Sequence, residues 1–276
     1  MYTIYVLTAY CYVQAYSAAA SFVPRLTDRV LRHLNPQPGD KVLDVGCGDG
    51  QFTSKFVSAV AAVLGVDSSA AMVESARRLH HRSSHADFRV VDCRYLGQTD
   101  IVDGSWDKVV SNAALHWILR DGSTRVSVLK AVYDSLRPGG AFVFEMGGHG
   151  NVAEVHTALL AALVRHGLSP DAARDASPWF FPSDDWMRST LEGLGFVVDL
   201  LEVEYRPTRL TVDAHGGIEG WVRLMGASML EALPLTARED AVSSTCELLK
   251  SIIYREDGSS WLGYVRLRGV ALKPGR

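Results

Sequence analysis

A short apolar run, "KVLDV" at 41–45, leads directly into "GCGDG" at 46–50, three glycines in five positions. Glycine is used this densely where backbone must turn tightly or let another group come close. The residues behind the turn read as a strand and those ahead as a helix beginning near Gly50. The turn therefore falls at the C-terminal edge of a parallel sheet, where open α/β sheets bind ligands. A dinucleotide fingerprint runs G-x-G-x-x-G, whereas here the spacing is Gly46-x-Gly48-x-Gly50 and Gln51 stands where the third glycine belongs. Asp44 lies at the approach to the turn. Its carboxylate opposes a pyrophosphate and attracts a ligand that carries a cationic amino group.

The alternation begun there continues. "AAVLGVD" (61–67) precedes the helical "SSAAMVESARRL" (68–79), and "DFRVVD" (87–92) and "WDKVVSN" (106–112) read as further strands. The next helix places Val126, Leu129, Tyr133 and Leu136 on one face, at spacings of three and four. Arg137-Pro138-Gly139-Gly140 ends it, because proline cannot continue a helix and glycine permits the exit turn. "AFVFEM" (141–146) is a fifth strand. This order predicts an α/β protein, a mainly parallel sheet with helices on both faces.

Past residue 150 the pattern changes. Residues 151–166 read as a helix, and "PWFFP" (178–182) as an aromatic loop. Ser183 can cap a helix running to about Leu194, and Gly195 opens a sixth strand, "FVVDLLEVEY". Residues 216–254 read as two helices, the second opened by Thr236-x-x-Glu239, a capping-box spacing. "YVRLRGVALK" (264–273) is a last, alternating strand. No internal repeat or low-complexity segment interrupts the chain. Residues 151–182 and 209–258 read as insertions on one sheet rather than as independent domains.

A chain of 276 residues, 47% hydrophobic, can bury one large core. Its net charge of −3 and lack of a basic run give no reason to expect nucleic acid or an anionic membrane as partner. Cys11, Cys47, Cys93 and Cys246 form no CxxC pair. Neither a metal site nor a disulfide framework is therefore expected, and a reducing, cytoplasmic compartment is. The first 24 residues carry no charged side chain. They can be part of the folded domain, a signal or anchor, or a disordered tail. A signal peptide would have a basic start, and Tyr2, Tyr5, Tyr10, Tyr12, Gln14 and Tyr16 interrupt any apolar core or membrane span. Part of the fold is the expectation.

"LDVGCGDG" resembles the first motif of class I S-adenosylmethionine-dependent methyltransferases, and the resemblance continues in order. "GVDSSAAM" (65–72) is similar to the family's second motif, "VVDC" (90–93) to the third, "WDKVVSNAALHW" (106–117) to the fourth and "LRPGGAFVFE" (136–145) to the next. Outside that core, "QAYSAAASFVPRL", "NAALHW", "PWFFPS", "RPTRL" and "YVRLRGVALKP" resemble segments of the trans-aconitate methyltransferase-like group, which acts on small-molecule carboxylates. The resemblance implies a Rossmann-like sheet of seven strands with the last antiparallel. It implies one domain over 1–276, with an N-terminal helical lid (1–40), a cofactor-binding core (41–150) and substrate-lid insertions at 151–182 and 209–258. S-adenosyl-L-methionine would be the cofactor, S-adenosyl-L-homocysteine the product, and a small molecule the acceptor, in a monomer or homodimer.

Residue roles follow from the same resemblance. Gly46 and Gly48 would let backbone approach the methionine half of the cofactor, with Asp44 nearby. Asp67 would accept from both ribose hydroxyls, since a carboxylate is acceptor-only and takes two donors; otherwise it caps a helix, with Ser68 or Ser69 sharing that work. Met72 would lie on an adenine face or pack in the core. Asp92 would accept from the adenine amino group while the Cys93 amide donates to the ring. Tyr16 matches a lid tyrosine, and Asn112 would face the sulfonium end. His116 and His149, which follow strands four and five, are candidates for a general base, or for orienting the acceptor, or for ordinary hydrogen-bonded loop histidines. Trp117, Trp179, Phe180 and Trp221 would shape an apolar acceptor pocket or pack in the core. Arg223 and Arg209 would pair with an acceptor carboxylate or lie on the surface.

O-methylation of a carboxylate is the leading expectation. Methylation of a phenol, hydroxyl, nitrogen or carbon in natural-product tailoring keeps the fold and changes the acceptor. A cofactor-binding module without methyl transfer, and a nicotinamide-dependent dehydrogenase, are the competitors from other classes.

Overall fold

The structure is a computed structural model, and residues 27–210 and 217–275 are described. The chain forms two compact units. The sheet unit comprises 27–149, 180–204 and 266–275; the helical unit comprises 150–179, 205–210 and 217–265. Of the segments read as insertions, 151–179 and the described part of 209–258 lie in the helical unit and 180–182 in the sheet unit.

Seven strands form one sheet, β1 (Lys41–Val45), β2 (Ala62–Asp67), β3 (Ala86–Val90), β4 (Trp106–Asn112), β5 (Leu136–Gly147), β6 (Val197–Arg209) and β7 (Trp261–Leu272), in the order β3-β2-β1-β4-β5-β7-β6. The pairs β1–β2, β1–β4, β2–β3 and β4–β5 are parallel, and β7 runs antiparallel to β5. Because side chains alternate along a strand, each face has its own core. Val42, Val63, Val110 and Val143 pack with Val30, Leu34, Phe52 and Phe56 on one side. Leu43, Val45, Val66, Val109, Phe142 and Phe144 pack with Leu96, Leu129 and Val132 on the other. The strand order reverses between β1 and β4, which is the crevice position for ligands in such sheets.

Three local expectations are corrected. No α-helix follows Gly50; two 3₁₀ turns, Thr53–Lys55 and Val57–Ala59, stand there. Only ten residues separate Gly50 from Ala61, too few to turn, run a stable helix and return to β2. The helix over Arg125–Ser135 buries Val128, Leu129, Ala131, Val132 and Ser135, so its inward face is rotated from the expected one and Val126 is 52% exposed. Leu136 already belongs to β5.

In the helical unit, Ala153–Arg165 packs against Leu235–Ile253, which also packs on Gly217–Met225. Residues 217–253 hold three helices rather than two, the middle one being Ala227–Glu231. Gly226 stands at the junction of the first two, where a Cβ would lie 2.7 Å from the Val222 carbonyl oxygen and 3.0 Å from Leu159. The capping box at Thr236 does not form: the long helix starts at Leu235 with Pro234 at its N-cap and no side-chain cap. Ser183 does cap Asp184–Gly193, accepting from the Trp186 amide.

Candidate functional site

Val45 ends β1 and the chain turns on Gly46 and Gly48, whose φ values are 76° and 57°. Both lie in the left-handed region that glycine adopts without strain. The amides of Gly46 and Cys47 both donate to the Val66 carbonyl, at 2.8 and 3.0 Å, and tie the turn to β2. A Cβ on Gly46 would lie 2.2 Å from the Ala114 Cβ, so the turn after β1 and the turn after β4 meet at backbone distance. A Cβ on Gly48 would meet nothing within 4 Å, which leaves open space over that peptide.

Acids surround this turn. Asp44 is buried, and its Oδ2 accepts from the Thr53 hydroxyl at 2.6 Å. Its other oxygen takes no hydrogen bond among the described residues. Burial pushes its carboxyl up to about 7, against the Thr53 bond and with help from the Asp67 charge. Asp67, ending β2, accepts from the Gly48 amide at 3.0 Å and the Ser69 amide at 2.8 Å, one on each oxygen, and burial raises its carboxyl as well. Each of its oxygens keeps a further lone pair. Ser69 caps the helix Ala70–Leu79 through the Met72 amide, so capping falls to Ser69 rather than to the exposed Ser68. Met72 is buried. Asp92 caps the turn Cys93–Gln98, and its carboxylate is held by the Arg94 guanidinium at 3.0 and 2.6 Å, which keeps it below the usual carboxylate range. Cys93 is the first residue of that turn, so its amide lies outside the turn's own bonds. Its thiol is pushed up to about 12, burial being the largest cause.

Beyond β4, Asn112 presents a buried Oδ1 with no hydrogen-bond partner among the described residues. Ala113 follows at φ 56°, a conformation strained for alanine. Its amide fixes it there by donating to the Glu145 carbonyl at 2.7 Å. His116 sits in the short helix Leu115–Ile118, buried between the rings of Trp117 and Phe181. Its Nδ1 accepts from the Gly147 amide at 3.3 Å. Burial, and then the charge of Arg266, hold its pKa well below the ordinary histidine value. Across β5 and β7, Gly147 pairs with Arg266 and Glu145 with Arg268. The Glu145 carboxylate takes Arg266 Nε at 3.1 Å on one oxygen and Arg268 Nε at 2.8 Å on the other. Thr53, Glu145 and Arg266 were not legible as site residues; the signal for Arg266 and Arg268 was two arginines two apart in an otherwise apolar strand.

Of the remaining candidates, Phe180 stays beside His116, its amide donating to the His116 carbonyl at 2.9 Å. His149 is exposed, and its amide donates to the Pro182 carbonyl at 2.8 Å. Phe180 lies with the Arg125 guanidinium 3.6 Å from its ring centre and Trp186 at its edge, so those contacts engage its ring. In the helical unit, Trp179 packs on Trp221 and His156, and the Trp221 indole donates to the Tyr264 hydroxyl at 2.8 Å. Arg223 is exposed and already pairs with Glu219 and Glu239, at 2.8 and 2.7 Å. An acceptor carboxylate would have to displace one of them. Arg209 is exposed, and Tyr16 lies outside the described residues. Among the described residues no cluster suits a metal ion, and no helix is long and apolar enough to cross a membrane.

Residues 42–140 match a family model described as a methyltransferase domain. Over 259 residues the chain is 37% identical to an uncharacterized methyltransferase, C70.08c, of Schizosaccharomyces pombe, covering 94% of this chain and 96% of that one. It is 33% identical to a trans-aconitate 2-methyltransferase of Deinococcus radiodurans over 43% of this chain and 42% of the relative. In fold it is similar to Haemonchus contortus phosphoethanolamine N-methyltransferase 2, solved with S-adenosylhomocysteine, at a TM-score of 0.57 and 19% identity, covering 95% of this chain and 57% of that one. Five motifs in register, a glycine turn flanked by acids and 37% identity to a methyltransferase over nearly the whole length lead to one conclusion: the chain belongs to the S-adenosylmethionine-dependent methyltransferases, with the Rossmann-like fold of that class.

Proposed function

We propose that this enzyme moves a methyl group from S-adenosylmethionine to a carboxylate oxygen of a small organic acid. The residues fit that cofactor: Gly48 leaves room over its backbone, Asp44 has an oxygen open to an ammonium, and Asn112 Oδ1 is a buried acceptor in want of a partner. In this reading Asp44 holds the amino group, Asp67 the ribose hydroxyls, Met72 an adenine face, and Asp92 with the Cys93 amide the adenine edge. When bound, the cofactor supplies an activated methyl group on a sulfonium, and displacement then needs an aligned nucleophile.

His116 carries the choice of acceptor. With Nδ1 accepting from Gly147 and a pKa well below the ordinary value, the ring is neutral and its proton sits on Nε2. Such a ring can donate a hydrogen bond, but it has no lone pair left with which to take a proton. A nucleophile served by it must arrive already ionised, as a carboxylate does at neutral pH. The similarity to a trans-aconitate 2-methyltransferase supports the same reading.

The test is transfer of labelled methyl from S-adenosylmethionine to panels of organic acids, phenols and amines, followed by mild alkali. A carboxyl ester releases volatile label; a base-stable product would overturn the reading. His116→Ala separates the chemistries further. Carboxylate turnover at neutral pH survives it, whereas an acceptor that needed His116 as base would lose about 100-fold or more.

A further inference from the structure

The Arg266 side chain is buried, only 7% exposed. Of the five N–H groups a guanidinium carries, it uses one, on Nε, which goes to Glu145 Oε1 at 3.1 Å. The terminal nitrogens Nη1 and Nη2 have no hydrogen-bond partner among the described residues. Its neighbour Arg268, fully buried, is by contrast surrounded by acceptors, with Glu145, Glu202 and Glu204 all on its guanidinium. Among the described residues the network therefore satisfies one arginine and leaves the other with four donors that have no partner. Those terminal nitrogens are not among the fully buried polar atoms, so they stay open to a ligand, and a guanidinium fork matches a carboxylate with two parallel bonds.

The position gives the unpaired fork a use. Arg266 lies opposite Gly147 in the β5–β7 ladder, and the Gly147 amide is the group that fixes the His116 ring. Arg266 is close enough that its charge depresses that imidazole. Glu145 holds Nε and so sets the direction of the fork, while spanning to Arg268 with its other oxygen.

We propose that Arg266 is the anchoring residue of the acceptor site, binding a carboxylate of the acceptor other than the one that is methylated. The inference rests on the carboxylate reading above. The two carboxylates must differ, because one neutralised by a bidentate guanidinium is a poor nucleophile. Glu145 is the positioning residue that aims the fork.

Wild-type enzyme, Arg266→Gln and Arg266→Lys are compared on itaconate and glutarate against crotonate and butyrate, with labelled S-adenosylmethionine. The wild type should prefer the dicarboxylates in kcat/KM. Arg266→Gln should reduce the dicarboxylate-to-monocarboxylate ratio by about 10- to 100-fold, through KM, and Arg266→Lys should restore part of it. S-adenosylhomocysteine affinity by calorimetry reports whether each variant is folded; should Arg266→Gln not fold, Arg266→Lys and the wild-type preference decide. Equal kcat/KM for both classes in the wild type, or an unchanged ratio in the variants, overturns the anchor and leaves carboxylate methylation standing. Methyl transfer to phenols or amines alone overturns both.

Discussion

Replacing Asp44 by asparagine should change how stability depends on pH. In the folded protein without ligand this carboxyl is raised to about 7 from 3.8, chiefly by burial. The folded state thus keeps a proton that the unfolded chain has released, and stability falls as pH rises between those two values. At about 1.4 kcal/mol per unit, a difference of roughly three units amounts to a penalty of about 4 kcal/mol once both states are ionised. Between about pH 5.5 and about pH 8.5 only the portion up to 7 is traversed, roughly 1.5 units, so about 2 kcal/mol is lost over that interval. Asp44→Asn keeps an oxygen to accept from Thr53 and removes the ionisation. Urea unfolding of both proteins at the two pH values should show the wild type losing about 2 kcal/mol more than the variant. Saturating S-adenosylhomocysteine should flatten the wild-type profile, since an ammonium beside Asp44 favours the carboxylate. Parallel pH profiles for wild type and Asp44→Asn would refute the reasoning, because Asp44 would then be ionising as it does in water.

Asp67→Ala removes the acceptor for two backbone amides and, in the proposed reading, for the ribose, so S-adenosylhomocysteine affinity by calorimetry should fall by about 100-fold or more; unchanged affinity would sink the assignment of the glycine turn to an adenosyl ligand. Gly46→Ala forces a Cβ to 2.2 Å from Ala114 at a φ of 76°. That clash and that backbone should together cost about 3 kcal/mol or more in chemical unfolding. A smaller loss would mean that the two turns do not meet at backbone distance.

The sheet was legible because each strand announces itself locally. β1 and β4 stand where the apolar runs put them, at Lys41–Val45 and Trp106–Asn112, and the serine at 183 caps as its spacing implies. The misreadings share a cause in packing that no local pattern encodes. Apolar residues at helical spacing near Phe52 and Phe56 fit a helix, but Thr53 has to reach Asp44 and the chain has to re-enter the sheet at Ala62. Val126 and Val128 are equally apolar in sequence, and only the packed face decides that one is 52% exposed and the other buried.

The site divides along the same line. Asp44, Asp67, Asp92 and the glycines cluster within motifs of a few residues, because the cofactor end of the sheet is made from consecutive strand–turn units. The proposed acceptor end is assembled from distant segments. His116 depends on the Gly147 amide, 31 residues on, and Arg266 on Glu145, 121 residues back. Reading "YVRLRGVALK" alone shows two arginines in a strand; which of them is neutralised and which keeps an open fork is set by Glu202 and Glu204 on β6. Arg223, which stands out in the sequence, is exposed and pairs with glutamates on its own and a neighbouring helix. A ligand carboxylate gains most where the protein has left a guanidinium both desolvated and short of acceptors, and that condition is a property of the closed ladder between β5 and β7.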